Sequence, residues 1–252
     1  MNLFNTLLLA SLAGIVPAIA WLWFWLREDA AHPEPRKLIL LTFCYGALSV
    51  PFALVFQLIF KSLFSIPTDV RDLGFFTVLS VTLVWAFIEE LVKYKAAWHG
   101  GLKKTITDEA VDVPIYMISA ALGFAALENI LFLLSPLLEN NISVFIQTTN
   151  LRFIGASLAH VASSAIIGIF AGYSLFFMKS VRRRYLWAGF ILATMLHALF
   201  NLFIIKGSQN SFAGFLLIWL FIVLIIVLFE RIKKIKVSTI NNVREKEKEN
   251  IN

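Results

Sequence analysis

The chain has 252 residues, of which 59% are hydrophobic and 15% charged, with a formal net charge of +6 and one cysteine. Soluble domains carry about 45–50% apolar and about 25% charged residues, and here the apolar segments recur along nearly the whole length, which excludes a soluble enzyme on a membrane anchor. Cys44 alone excludes an internal disulfide or a cysteine-based metal motif, and it reads as a small buried hydrophobe.

A helix needs about 20 mostly apolar residues to cross a bilayer. About seven segments qualify: Leu3–Leu26, Leu38–Phe60, Leu73–Trp98, Val113–Leu134, Leu151–Met178, Leu186–Ile205 and Phe212–Phe229. The first reads as a retained helix rather than a cleaved signal peptide, because no Lys or Arg precedes it and its apolar run continues through Trp21 to Leu26, past the small residues Ala18-Ile19-Ala20. None of the segments has the period-two alternation of a membrane barrel, so helices are expected. The fold class is therefore all-α, a polytopic membrane helical bundle, with one transmembrane domain over residues 1–232. A charged tail, 233–252, follows, and its alternating run Arg244 to Glu249 reads as a solvated end.

The basic residues give an orientation. Those after the first, fifth and seventh segments and around the end of the third, where Lys93 and Lys95 are counted with Lys103 and Lys104, make 18 of the 22 Lys and Arg, whereas Lys61, Arg71, Arg152 and Lys206 fall on the other side. By the positive-inside rule the N-terminus is outside and the C-terminus cytoplasmic. The net charge thus reflects topology, and no nucleic-acid partner is expected.

Ionisable groups inside a bilayer are costly and usually functional. Here they are Glu89 and Glu90 in the third segment, Glu128 in the fourth, His160 in the fifth and His197 in the sixth. His197 and Asn201, four residues apart, share a helix face. Adjacent Glu89 and Glu90 point about 100° apart, so only one can aim directly at a given target. Lys93, four residues after Glu89, reads as its neutralising partner, snorkelling to the interface. A carboxylate beside an imidazole can deprotonate water, and a His/Asn pair can supply donors where negative charge develops. Two His and a Glu equally match a catalytic zinc site with one open position. A proton-coupled transporter would use the same residue types as a relay, although no inverted repeat is evident.

Four motifs occur in order on successive apolar segments: Glu89-Glu90-Leu91-Val92-Lys93; Gly123-Phe124-Ala125-Ala126-Leu127-Glu128-Asn129; His160 followed by Ser163-Ser164-Ala165-Ile166-Ile167-Gly168; and His197-Ala198-Leu199-Phe200-Asn201. Between about Ala86 and Asn201 the chain resembles the PrsW family of intramembrane proteases, related to the CAAX-processing and bacteriocin-processing membrane proteases. The resemblance implies an endopeptidase that cuts a peptide bond in or near the membrane span of another protein. It implies Glu89 as general base with His160, His197 and Asn201 as oxyanion donors, and Glu90 and Glu128 as residues that orient or tune them. A metal-free site is favoured because Asn201 beside His197 suits a donor better than a ligand. Zinc held by the same Glu and His residues is the alternative cofactor reading, and a proton-coupled transporter the alternative function. The partners expected are the lipid bilayer and a membrane-protein substrate, with a single-span regulator such as an anti-sigma factor as one class, and the location expected is the cytoplasmic membrane of a prokaryote.

Two structural expectations follow. Water must reach Glu89, which calls for a hydrophilic cavity among the third to sixth helices. With straight helices and the boundaries above, Glu89 lies in the cytoplasmic half of its span and His160 in the outer half of its own, a mismatch on the order of 13 Å that tilt would have to close.

Overall fold

The computed structural model describes residues 2–28, 33–67, 69–70, 73–103, 109–205 and 208–235. The described residues are 88% helical, and no strand occurs among them. The helices are α1 (Leu3–Glu28), α2 (Arg36–Leu63), α3 (Phe75–Ala97), α4 (Asp112–Leu138), α5 (Ile142–Leu151), α6 (Ser157–Tyr173), α7 (Lys179–Ile205) and α8 (Ser208–Ile232). One π turn, Trp98–Leu102, extends α3, and another, Arg152–Ala156, joins α5 to α6. Counting α5, its π turn and α6 as one span, seven spans are long and apolar enough to cross a membrane.

The interior belongs to α4 and α6. In their most apolar stretches 67% of the α4 residues and 78% of those in the α5-α6 span are buried, against 17% in α1. Helices α1, α2 and α6 all pack on α4, while α7 packs on α3 and α6. In lipid no hydrophobic force holds helix to helix, so close packing of small residues must do it. A Cβ on Gly46 would stand 2.0 Å from the Ala120 carbonyl oxygen, and one on Gly123 would stand 1.9 Å from that of Phe43, so the α2 and α4 backbones touch through glycine on both sides. The small residues of the fifth span act likewise: Gly168 meets the Pro114 backbone and Gly172 the Ala110 carbonyl.

Three expectations need correction: the bounds of the fifth span, the start of the sixth, which is Lys179 rather than Leu186, and the burial of Cys44. The fifth span begins at Ile142 rather than Leu151 and ends at Tyr173 rather than Met178. Gln147, Thr148, Thr149 and Asn150 lower the apolar character of α5, yet the Asn141 side chain caps it by accepting from the Val144 amide at 3.1 Å. At the other end the Ser174 hydroxyl bonds the Phe170 and Ala171 carbonyls at 3.1 and 3.2 Å, competing with further helix. Cys44 is exposed on α2, because in a lipid solvent an outward-facing thiol is as well placed as a buried one. Of the tail, residues 236–252 lie outside the described residues. Lys233 bonds Glu28 at 3.2 Å and Glu230 at 2.7 Å, tying the end of the last span to that of the first.

Candidate active site

With the corrected boundaries, Glu89 falls near the middle of the span Phe75–Leu102 and His160 near the middle of Ile142–Tyr173. The expected mismatch disappears, and His160 Nδ1 lies 3.9 Å from Glu89 Oε2. Five expected groups on four helices meet here: Glu89 and Glu90 on α3, Glu128 on α4, His160 on α6 and His197 on α7. Asn201 sits one turn beyond His197, half-buried, and among the described residues it hydrogen-bonds to none of the five.

Lys93 is at the centre of the cluster rather than at the interface. Its side chain is 0% exposed, and its ammonium donates to Glu90 Oε1 at 2.8 Å and meets His160 Nδ1 at 2.7 Å. Glu89 Oε2 is farther away, at 3.8 Å. Snorkelling failed as an expectation because α3 continues through Lys95 into the π turn, which leaves Lys93 deep in the span rather than near its end. The ammonium also lies over the Phe124 ring, 4.5 Å from its centroid.

These contacts fix the histidine tautomers. Lys93 can only donate, so His160 Nδ1 accepts and its Nε2–H donates to Glu128 Oε2 at 2.9 Å. His197 places Nδ1 2.9 Å from Glu90 Oε1, where an N–H must donate to the carboxylate. Its Nε2 then faces Glu89 Oε2 at 3.5 Å. The two rings meet edge to face, with centroids 4.9 Å apart.

The carboxylates are unequally satisfied. Glu90 takes Lys93 and His197 on Oε1 and the Ser164 hydroxyl on Oε2 at 2.6 Å. Glu128 Oε2 takes both His160 and Arg152. Glu89 Oε1 accepts from the Gln57 amide at 3.0 Å, but Glu89 Oε2 is buried with no hydrogen-bond partner. Lys93, Arg152, Ser164 and Gln57 were not foreseen as members of the site. Each is nevertheless a polar residue within or beside an apolar span, the same signal that singled out the glutamates.

The accessible edge is at α4 and the π turn before α6, where the side chains of Glu128 and Arg152 are 19% and 13% exposed. Glu89 is 7% exposed. The expected hydrophilic cavity is thus a packed polar cluster with its more open side at Glu128 and Arg152.

The family profile described as "PrsW family intramembrane metalloprotease" matches residues 34–228. The chain belongs to the PrsW family. "Protease PrsW" of Oceanobacillus iheyensis is 31% identical over 91% of this chain and 97% of its own, and that of Geobacillus kaustophilus is 30% identical over 80% and 83%. The Bacillus subtilis protein of the same name is 28% identical over 79% and 83%. No solved structure matches the chain. The protein is accordingly an intramembrane protease of the PrsW family, and the matched region contains the whole polar cluster.

The family description raises the question of a metal. The donor set suits one in kind: one atom each from Glu89, His160 and His197 lies within 4.8 Å of the other two. The far nitrogen of each histidine is held by a carboxylate, as in many metal sites. The arrangement does not fit one in detail. Lys93 Nζ already occupies the lone pair of His160 Nδ1, and a divalent ion in the same triangle would stand beside that ammonium in a low-dielectric interior.

Proposed function

We propose that the protein hydrolyses a peptide bond in or near the membrane span of another protein, using water activated by Glu89. What supports this reading is the bare Glu89 Oε2 facing His197 Nε2. Two acceptor atoms 3.5 Å apart call for a hydrogen between them, supplied by a water O–H or by a proton shared across the pair. Counting charge points the same way, since Glu89, Glu90 and Glu128 face only Lys93 and Arg152. One proton on the Glu89-His197 pair makes the cluster neutral, which a bilayer interior favours.

In the reaction Glu89 Oε2 takes a proton from water as its oxygen bonds to the scissile carbonyl carbon. The C–N bond breaks when that proton passes to the departing amine. Gln57 holds the other oxygen of Glu89, so that Oε2 stays turned toward the histidines. Lys93 and Glu128 fix the His160 ring from both sides. The Asn201 amide, on the His197 face of α7, and His197 Nε2, carrying the proton it shares with Glu89 while that carboxylate takes the proton of water, are the donors for the developing oxyanion. The substrate class is a single-span membrane protein, for which an anti-sigma factor is one candidate. In this reading the N-terminus lies outside, as the distribution of basic residues suggests, and the membrane is the cytoplasmic membrane of a prokaryote.

A second reading has its own support. The Glu89, His160 and His197 donor atoms would hold zinc if Lys93 released His160, and the metal would then polarise the carbonyl and acidify bound water. The experiment for the main reading is cleavage of a single-span membrane protein by the purified enzyme, with the cut located by mass spectrometry. Wild type is expected to cut in or beside the span and Glu89→Gln to leave the substrate whole, whereas equal cleavage by both would refute the proposal.

A further inference from the structure

Arg152 falls in none of the motifs, and by charge counting it belongs to the outer-side loops. In the structure it turns inward and closes the cluster. Its Nη2 bonds Glu128 Oε2, the same oxygen that accepts from His160 Nε2. Its Nε bonds Asn129 Oδ1, and the Asn129 amide donates to the Ser157 hydroxyl at 3.1 Å. The guanidinium also stacks on Phe132, 4.0 Å from the ring centroid. Three residues of α4 thus hold one arginine from the α5-α6 span.

The π turn makes this contact geometrically available. Eight residues separate Arg152 from His160, and in an unbroken α-helix they would point roughly 80° apart. A π turn is wider and absorbs one extra residue, which reduces the offset to roughly 20°. Arg152 opens that turn, so the two side chains come onto one face and converge on one carboxylate oxygen.

We infer that Arg152 is a positioning residue of the peptidase, acting through Glu128 to set the orientation and tautomer of His160. The inference rests on the proposed peptidase reading. Arginine suits the role because its fork holds Glu128 and Asn129 at once, which a lysine ammonium cannot reproduce with the same geometry.

The test is a double-mutant cycle on the purified full-length protein, with Arg152→Gln, Arg152→Lys, Glu128→Gln and the two combinations, read as kcat and KM. Arg152→Gln is expected to lower kcat by about tenfold or more while KM changes little, and to cost nothing further once Glu128 is Gln. Arg152→Lys is expected to fall between it and wild type. The inference is overturned by wild-type kcat in Arg152→Gln, by losses that multiply in the combined variant, or by failure of both arginine variants to fold, which would mark a purely structural residue. Nitrogen-15 spectra of the histidine rings give a readout independent of cleavage. The His160 signals, assigned with His160→Asn, should move in Arg152→Gln while those of His197 stay. If wild type cuts nothing, the peptidase reading fails, and the spectra alone decide whether Arg152 sets His160.

Discussion

Glu89 Oε2 is the one carboxylate oxygen of the cluster that is buried without a hydrogen-bond partner, and the proposed chemistry falls to it for that reason. Glu89→Gln keeps the Gln57 contact and the side-chain volume but removes the base. The expected outcome is a fall in kcat of about 10²–10⁴-fold with an unchanged helical circular-dichroism spectrum. Lys93 answers to a different measurement. Its ammonium is fully buried between Glu90 and His160, so Lys93→Met leaves a buried carboxylate uncompensated and should destabilise the protein by about 3–5 kcal/mol. Adding Glu90→Gln should restore part of that in thermal unfolding, whereas no recovery would mean that the pair is not the main loss. The glutamates and histidines could be read from the sequence because each interrupts an apolar span. The role of Lys93 could not, since spacing of three to Glu90 and four to Glu89 serves either partner, and depth in the span depends on where α3 ends. Arg152 was hidden for a related reason: a cation near a span end looks like a topology signal until the helix is seen to start ten residues earlier.

Hydropathy placed the spans because lipid demands about 20 apolar residues from each, and five of the seven lie close to where the sequence put them, while the sixth begins seven residues earlier, at Lys179, because its basic first turns lie outside any apolar count. The fifth did not, since the Asn141 cap and the polar turn of α5 lie outside any apolar count, and the π turn leaves no mark in composition. That one boundary error produced the apparent separation of Glu89 from His160. The packing of α2 on α4 is a prediction at this scale. A Cβ at Gly123 would lie 1.9 Å from the Phe43 carbonyl oxygen, a backbone atom that cannot swing aside. Gly123→Ala should therefore force the helices apart and cost about 1–3 kcal/mol, seen as a lower midpoint in detergent unfolding; an unchanged midpoint would show that the two backbones do not touch as described.

Across the whole molecule, the odd number of spans and the lopsided distribution of basic residues bear on function through topology. The N-terminus is expected outside and the C-terminus inside, and reporter fusions at the two ends should report opposite sides of the membrane; reports from the same side would contradict an odd number of crossings. The Lys233-Glu28 bond requires that the ends of the first and last spans share a side, which both orientations of a seven-span bundle satisfy, so the basic residues alone choose between them. The central claim, that Glu89 activates water with Lys93 as the resident cation of the site, is tested most directly by cleavage of a single-span membrane protein by purified wild type and Glu89→Gln, each with and without a zinc chelator. Wild-type cleavage that persists in the chelator and vanishes in Glu89→Gln is the predicted result. Cleavage abolished by the chelator and restored by added zinc would contradict it and place a metal where Lys93 now meets His160.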